Sequence, residues 1–217
     1  MNIKLKVPLY KQKSDDMACG FICLQMVLAY YGKKLSYEEI LKYAKIDKFF
    51  GCWWAQMGSV AIDLGFKAEL INYNITHLFD ADISKLKGKD LINRLENQKV
   101  RIDKHLHRDI DLTKEFINKG GKFSLRITKK EDLINWLKQG IPPILVIKIG
   151  PAYGKIVSKE QREKSIDQHG IVVYGYDGKN FLIHDPNPKE NALTKMSEDL
   201  LMYSWYRAKC YTLLIRK

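Results

Sequence analysis

The chain has 217 residues, 46% of them hydrophobic and 11% aromatic, a composition that suits one domain with a packed core and excludes general disorder. Lys and Arg outnumber Asp and Glu by 37 to 25, and the net charge of +12 would suit an anionic partner. No basic run is interleaved with aromatic residues, so we expect no nucleic-acid partner and attribute the charge to solubility. No stretch approaches about 18 apolar residues, so we also expect no membrane span.

The four cysteines are Cys19, Cys23, Cys52 and Cys210, and their spacing is uneven. The sequence contains no C-x-x-C pair, so we expect no structural zinc and no other metal or cofactor. The amino-terminal segment has no apolar stretch of the kind that marks a secretion signal. Together these features predict reduced thiols and a cytoplasmic location.

The clearest predicted element is a helix over 17–31, which follows a short extended segment at 5–10. Its apolar residues recur at the i, i+3, i+4 and i+7 spacing of one buried helix face. These residues are Leu24, Val27, Leu28 and Tyr31. Gly32 is a typical C-terminal stop, and the N-cap candidates are Ser14, Asp15 and Asp16.

Two further helices are predicted before the first long strand. Ser36 and Glu39 have the spacing of a capping box and open a helix over 37–45. A glycine-bearing loop then leads to a helix near 54–64, and strand-like residues follow at 66–72.

The segment from about 76 to 125 differs in character from the rest of the chain. It is strongly charged and carries helical patterns near 89–97 and 110–119. We interpret it as an insertion packed on a single domain that spans 1–217.

The last third of the chain changes from helix to strand. A helix is predicted over 129–138, a strand over 143–149, two strands around an Asp-Gly turn within 169–186, and a last strand over 209–215. Helices that come first and antiparallel strands that come later predict an α+β fold with two lobes.

Cys19 lies where the first predicted helix begins. A thiol is nucleophilic only as the thiolate, and the unpaired N–H groups and dipole of a first helical turn favour negative charge there. Gly20 has no side chain, so a substrate carbonyl could approach the Cys19 backbone N–H closely. This stretch alone is equally compatible with Cys19 as a small core residue. Cys23 lies one turn further along, beyond the free N–H groups, and is expected to pack in the core.

A nucleophilic cysteine needs a base, and the base needs an orienting group. If the hairpin loop is 177–179, Ile171 faces Asp185, which then lies diagonally across from His169 on the same face. A two-residue loop would put His184 on that face instead. We predict the three-residue loop and a pair between His169 and Asp185. The alternative is that the Asp-Pro step merely ends a strand, and a bulge would reverse the parity.

Gln12 is the remaining candidate site residue. An oxyanion hole needs a fixed donor besides the amide of the nucleophile, and a glutamine on an extended segment just upstream could reach over the thiol. An exposed glutamine beside lysines is the alternative interpretation.

Two stretches of the sequence resemble one known family. The run ACGFICLQM at 18–26, with Gln12 before it, is similar to the opening of the bacteriocin-processing peptidases, papain-like cysteine peptidases that remove double-glycine leaders. VVYGYDGKNFLIHDP at 172–186, preceded by His169, resembles that family's histidine strand and aspartate turn, and MYSWY at 202–206 with the following LLI is compatible with its last strand.

The resemblance implies a papain-like fold and a role for each candidate. Cys19 would be the nucleophile and His169 the general base and acid. Asp185 would orient the imidazole, and Gln12 would donate to the oxyanion.

The predicted function is that of a cysteine peptidase acting on a peptide or protein substrate. Trp53 and Trp54 would line the cleft or anchor the core. Two alternatives stay open: acyl transfer or deamidation with the same residues, and an inactive binding module that uses the basic surface.

Overall fold

The structure is a computed structural model. It describes residues 2–13, 18–45, 53–73, 85–155, 158–159, 167–189 and 192–217. The N-cap candidates Ser14, Asp15 and Asp16 lie outside the described residues, as does Cys52.

The described residues form helices and strands in mixed order. The helices are α1 (Cys19–Tyr30), α2 (Tyr37–Ala44), α3 (Trp54–Asp63), α4 (Gly88–Gln98), α5 (His107–Asn118), α6 (Lys130–Lys138), α7 (Ile149–Tyr153) and α8 (Glu198–Arg207). The strands are β1 (Ile3–Lys4), β2 (Lys67–Asn72), β3 (Lys122–Leu125), β4 (Ile144–Lys148), β5 (Gln168–Tyr176), β6 (Asn180–His184), β7 (Lys195–Ser197) and β8 (Thr212–Arg216).

These strands make one eight-stranded sheet. Its order is β3-β2-β8-β4-β5-β6-β7, and β1 pairs with the carboxyl-terminal end of β5. All pairs are antiparallel except β2 with β3, which are parallel. The parallel pair needs a crossover, and α4 and α5 lie within it. The sheet therefore has two different ends, one at β3 and one at β6 and β7.

Helices cover both faces of the sheet. Side chains alternate along β5, so Val172 packs with α1, α2 and α3, whereas Ile171 and Val173 pack with α6, α7 and α8. Both faces of β5 are thus apolar, as a strand buried on both sides requires. The α+β class is confirmed, and the layer formed by α6, α7 and α8 was not expected.

Most predicted elements are present within one or two residues of their predicted bounds. The capping box is present, because the Ser36 side chain accepts from the Glu39 N–H and Glu39 returns the bond to the Ser36 N–H. One assignment was wrong: residues 202–206, matched to the last strand, lie in α8. Ser197 caps this helix by accepting from the Leu200 N–H, and only residues after it return to the sheet.

The described part of the charged segment 76–125 packs at the β3 end of the sheet. β3 adds to the edge of β2, and α5 packs against α3. Phe116 of α5 is fully buried between two glycines, Gly58 and Gly121, at which an added Cβ would collide with its ring. This segment is thereby attached by an apolar contact at the end of the sheet that three strands, β2, β8 and β4, separate from β5.

Candidate active site

The β5–β6 hairpin brings the two predicted partners together by an unexpected route. Its tip pairs Tyr176 with Phe181, so the predicted three-residue loop was wrong. A bulge between Val173 and Gly175 then shifts the register by one residue, and Val172 faces His184. The loop is one residue longer than predicted, and the bulge compensates for this extra residue. The predicted register therefore holds at the end of the hairpin away from the loop.

His169 and Asp185 are in direct contact at that end. His169 Nε2 lies 2.7 Å from Asp185 Oδ1. The predicted pairing is therefore present in the structure, with Nε2 as the donor to the carboxylate.

Both carboxylate oxygens of Asp185 accept hydrogen bonds. Oδ1 also accepts from the Asn187 N–H at 2.8 Å, and Oδ2 accepts from the Leu193 N–H at 2.7 Å and from the Tyr153 hydroxyl. Burial alone would raise the pKa of Asp185, but the bonds to His169, Tyr153 and Leu193 lower it to about 2. The group is therefore charged at neutral pH although only 1% of the residue is exposed.

Cys19 is the first residue of α1 and is half-buried. Ala18 occupies the N-cap and makes no side-chain cap, so no side chain of the N-cap residue covers the first turn. The first turn of α1 packs on β5 at a point where both elements have a glycine. A Cβ added to Gly170 of β5 would lie 3.4 Å from the N and Cα of Gly20 in α1. Two glycines thus let the start of α1 approach the strand residue next to His169.

His169 completes the link between the thiol and the carboxylate. Burial lowers the pKa of His169, but hydrogen bonds to Asp185 and to the Cys19 side chain outweigh burial and raise it to about 9. Since Nε2 is bonded to Asp185, Nδ1 is the ring nitrogen that faces the thiol. A protonated imidazole beside a thiol favours the thiolate.

Cys23 has the packing role expected of it. It is fully buried, and burial, followed by the negative charges of Cys19 and Asp185, raises the pKa of its thiol well above the usual value. Cys23 is therefore a protonated thiol in the core and not a competing nucleophile.

Gln12 lies on an extended segment that is bound to the Asp185 turn. Its backbone N–H donates to the Pro186 carbonyl at 2.9 Å. Lys11, just before it, donates to the backbone carbonyls of Asp185 and Asn187, both at 2.9 Å. The segment is thus anchored to the same turn that carries the carboxylate.

The two tryptophans flank the start of α3. Trp53 is its N-cap residue and Trp54 its first residue, and both are half-buried. A Cβ added to Gly170 would lie 3.4 Å from Trp54 Cη2, so the Trp54 ring touches the strand beside His169. Trp54 is therefore next to the candidate site and also packs on the core.

His184 is excluded as the partner of the carboxylate. Its ring stacks on Tyr174 with centroids 4.0 Å apart, and its Nε2 bonds to the Val7 carbonyl at 2.9 Å. It lies on the opposite face of the hairpin from Asp185, as the register requires.

Two residues of this site had no signal in the sequence. Tyr153, on the five-residue helix α7, donates its hydroxyl to the Asp185 carboxylate, and Lys11 donates to the Asp185 backbone carbonyl. Short helices and long-range lysine contacts follow no periodic pattern, so only the folded chain places them.

The geometry agrees with a comparison to known protein families. The model of the Peptidase_C39 like family matches residues 4–213, nearly the whole chain. The chain belongs to this family. A search of curated protein sequences found no significant match.

Solved structures of C39 peptidases have the same fold. A protein described as a C39-like peptidase from Bacillus anthracis is 15% identical, covers 100% of this chain and 98% of its own, and has a TM-score of 0.59. The peptidase domain of Streptococcus ComA, a bifunctional ABC transporter of a quorum-sensing pathway, is 18% identical, with 96% of each chain covered and a TM-score of 0.50. A double-glycine-motif protease from an AMS/PCAT transporter, solved with its leader peptide, is 15% identical, covers 99% of this chain and 94% of its own, and has a TM-score of 0.50.

Membership in the Peptidase_C39 like family supports a cysteine peptidase-like function. Two further findings apply to the described residues alone. None of their helices has both the length and the apolar character needed to cross a bilayer. They also hold no cluster of three or more His, Cys, Asp or Glu side chains suited to a metal ion.

Proposed function

We propose that this protein is a cysteine peptidase that cleaves a peptide or amide bond with Cys19 as the nucleophile. The observation that carries the proposal is the imidazole of His169, which is bonded through Nε2 to the buried carboxylate of Asp185 and directly precedes the strand residue that meets the first turn of the Cys19 helix. A nucleophile, a base and an orienting group in this order are what acyl transfer to a thiol requires.

The reaction begins from a thiolate–imidazolium pair. The sulfur of Cys19 attacks the carbonyl carbon, a C–S bond forms, and the carbonyl electron pair moves to oxygen. His169 then gives its Nδ1 proton to the leaving amine as the C–N bond breaks, which leaves a thioester. In the second half, His169 takes a proton from water, the hydroxide attacks the acyl carbon, and the C–S bond breaks to release the acid.

The oxyanion of each tetrahedral intermediate needs hydrogen-bond donors. The backbone N–H of Cys19, at the start of α1, is one, and the Gln12 side chain is the second in this proposal. The anchoring of Gln12 to Pro186 supports this role, because a donor held in advance loses little entropy on reaction. Loss of one such donor typically lowers the rate by about 10²–10³-fold.

A peptide is the proposed substrate class. One of the similar structures is a double-glycine-motif protease in complex with its leader peptide. The half-buried residues Trp53 and Trp54 would flank the extended substrate in this proposal, and the Trp54 ring lies beside the glycine contact of α1 and β5.

The test is alkylation by iodoacetamide between pH 5 and 9, with each cysteine followed by mass spectrometry. At pH 6 we expect Cys19 to react about 100-fold faster than an ordinary thiol, because the imidazolium keeps it ionised. Cys23 and Cys210, which are buried, are internal controls. A Cys19 rate that simply follows an ordinary thiol pKa would refute the proposed nucleophile.

Product analysis completes the test. A defined peptide pool is incubated with the wild type and with Cys19→Ala, and new amino and carboxyl termini are read by mass spectrometry. Cys210→Ala is the matched control, because it removes a thiol elsewhere in the core. We expect new termini with the wild type and Cys210→Ala alone; transfer to an added amine or loss of a side-chain amide without cleavage would contradict peptidase activity.

A further inference from the structure

Tyr153 is in contact with both partners of the His–Asp pair. Its hydroxyl donates to Asp185 Oδ2, and its ring meets the His169 ring edge-on, with centroids 6.1 Å apart and planes at 68°. The reaction described above uses neither contact.

The backbone accounts for this placement. α7 begins directly after β4, at the end of the strand where Ile147 pairs with His169. Tyr153 is the last residue of α7, and Gly154 follows in the left-handed region with φ of 63°. A glycine allows this turn without strain, so the helix ends with its tyrosine over the pair.

The four donors around Asp185 divide evenly between its two oxygens. Oδ1 accepts from His169 and the Asn187 N–H, and Oδ2 accepts from Tyr153 and the Leu193 N–H. With both oxygens occupied, the carboxylate cannot rotate away from the imidazole. The Tyr153 ring also lies edge-on against the His169 ring.

We propose that Tyr153 is a positioning residue for the reaction: its hydroxyl holds Asp185 Oδ2 so that Oδ1 faces His169, and its ring packs against the imidazole. The inference rests on the proposed function. The pKa of the Tyr153 hydroxyl is raised, chiefly by burial and then by Asp185, so it stays protonated and keeps donating across the working pH range.

The hydroxyl also moderates the attraction between Asp185 and the imidazolium. Its positive hydrogen end withdraws part of the carboxylate charge, so a phenylalanine at this position would leave more negative charge facing His169. His169 would then hold its proton more tightly and give it less readily to the leaving amine.

Other charged groups also face this cluster. The Cys19 thiolate faces the imidazole, Lys11 bonds the Asp185 carbonyl, and Lys155 Nζ lies 5.4 Å from the Tyr153 ring centroid. Lys148 and Asp167, at the ends of β4 and β5, are paired with each other at 2.6 Å. All of them are retained when Tyr153 is changed, so a shift reports on the tyrosine itself.

The experiment is an NMR titration of the His169 imidazole with ¹³C-labelled histidine, in the wild type, Tyr153→Phe, Tyr153→Leu and Tyr206→Phe. Tyr206 donates its hydroxyl to the Thr128 carbonyl, away from the pair, and is the matched control. We expect Tyr153→Phe to raise the titration midpoint by about one pH unit. Tyr153→Leu removes the same hydroxyl and should raise the midpoint as well.

An unchanged or lowered midpoint in Tyr153→Phe overturns the inference, as does an equal shift in Tyr206→Phe. The titration needs no substrate. An inactive wild type with a shifted midpoint would refute the peptidase and leave the role of Tyr153 toward His169 standing. Fast alkylation of Cys19 together with an unshifted His169 midpoint in Tyr153→Phe would refute the role of Tyr153 and leave Cys19 standing as the nucleophile.

Discussion

The surroundings of Asp185 at the β6 end of the sheet and the contact between α3 and α5 near its β3 end are stabilised by opposite kinds of contact. At the β6 end, the polar carboxylate of Asp185 is buried and bonded by four donors. Where α5 packs on α3 near the β3 end, the buried contact is apolar, with Phe116 between two glycines, and the ion pair of the same contact is at the surface, where Lys119 Nζ lies 2.7 Å from Asp63 Oδ2.

The comparison shows that a polar contact matters most where water cannot replace it. A buried donor that loses its acceptor also loses a partner that solvent cannot supply, whereas an exposed ion pair exchanges one partner for water. We therefore expect the Asp185 site to depend on its polar atoms and the α3–α5 contact to depend on its packing.

The largest expected effect is that of Asp185→Ala. It removes the acceptor of four buried donors, so we expect the free energy of unfolding to fall by about 3–5 kcal/mol, measured by urea unfolding. The imidazole also loses its orienting group, so the rate of Cys19 alkylation near pH 6 should fall by at least about 10-fold.

Asp185→Asn is the control, because it keeps the shape and one of the two acceptor oxygens. It should unfold with a smaller loss of stability than Asp185→Ala while still lowering Cys19 reactivity. Equal stability of Asp185→Ala and wild type would show that these buried bonds contribute nothing net.

The second effect is at the β3 end, where Phe116→Ala should cost about 3–4 kcal/mol because it empties a fully buried site. Gly58→Ala should be destabilising in the wild type, since the new Cβ would lie 2.5 Å from Phe116 Cε2. In the Phe116→Ala background the same change should be neutral or stabilising, because alanine favours helix more than glycine does.

Urea unfolding of the four proteins in this cycle measures the coupling. Cys19 alkylation is expected to be unchanged in the folded forms, since Phe116 packs near the β3 end of the sheet and three strands separate β3 from β5. Additive effects of the two substitutions would contradict the close contact.

The smallest effect is that of Lys119→Met at the same interface. The Lys119 and Asp63 side chains are 30% and 34% exposed, so we expect a loss below about 1 kcal/mol. Thermal unfolding at low salt and at 1 M salt provides the check, with Asp63→Asn completing a double-mutant cycle. A loss as large as that of Phe116→Ala would reverse the ranking of the two contacts.

Much of the candidate site could be predicted from local pattern. The alternation of β5 and β6 placed His169 and Asp185 on one face, and the apolar spacing of α1 put Cys19 at a helix start. The hairpin shows the limit of such reasoning, because the loop prediction was wrong and the bulge at Tyr174 restored the register. A bulge depends on packing against neighbouring strands, which local alternation does not record.

The sequence by itself determined which residues lie near the ends of which elements. The reason is that apolar residues recur with a period of about 2 in strands and about 3.6 in helices, which can be recognised from the sequence. Only the tertiary structure decided that Gly20 meets Gly170, and that Tyr153 covers the bond between His169 and Asp185. These contacts join elements far apart in the chain. Their formation depends on shape and close approach between packed backbones, which no local pattern of residues encodes.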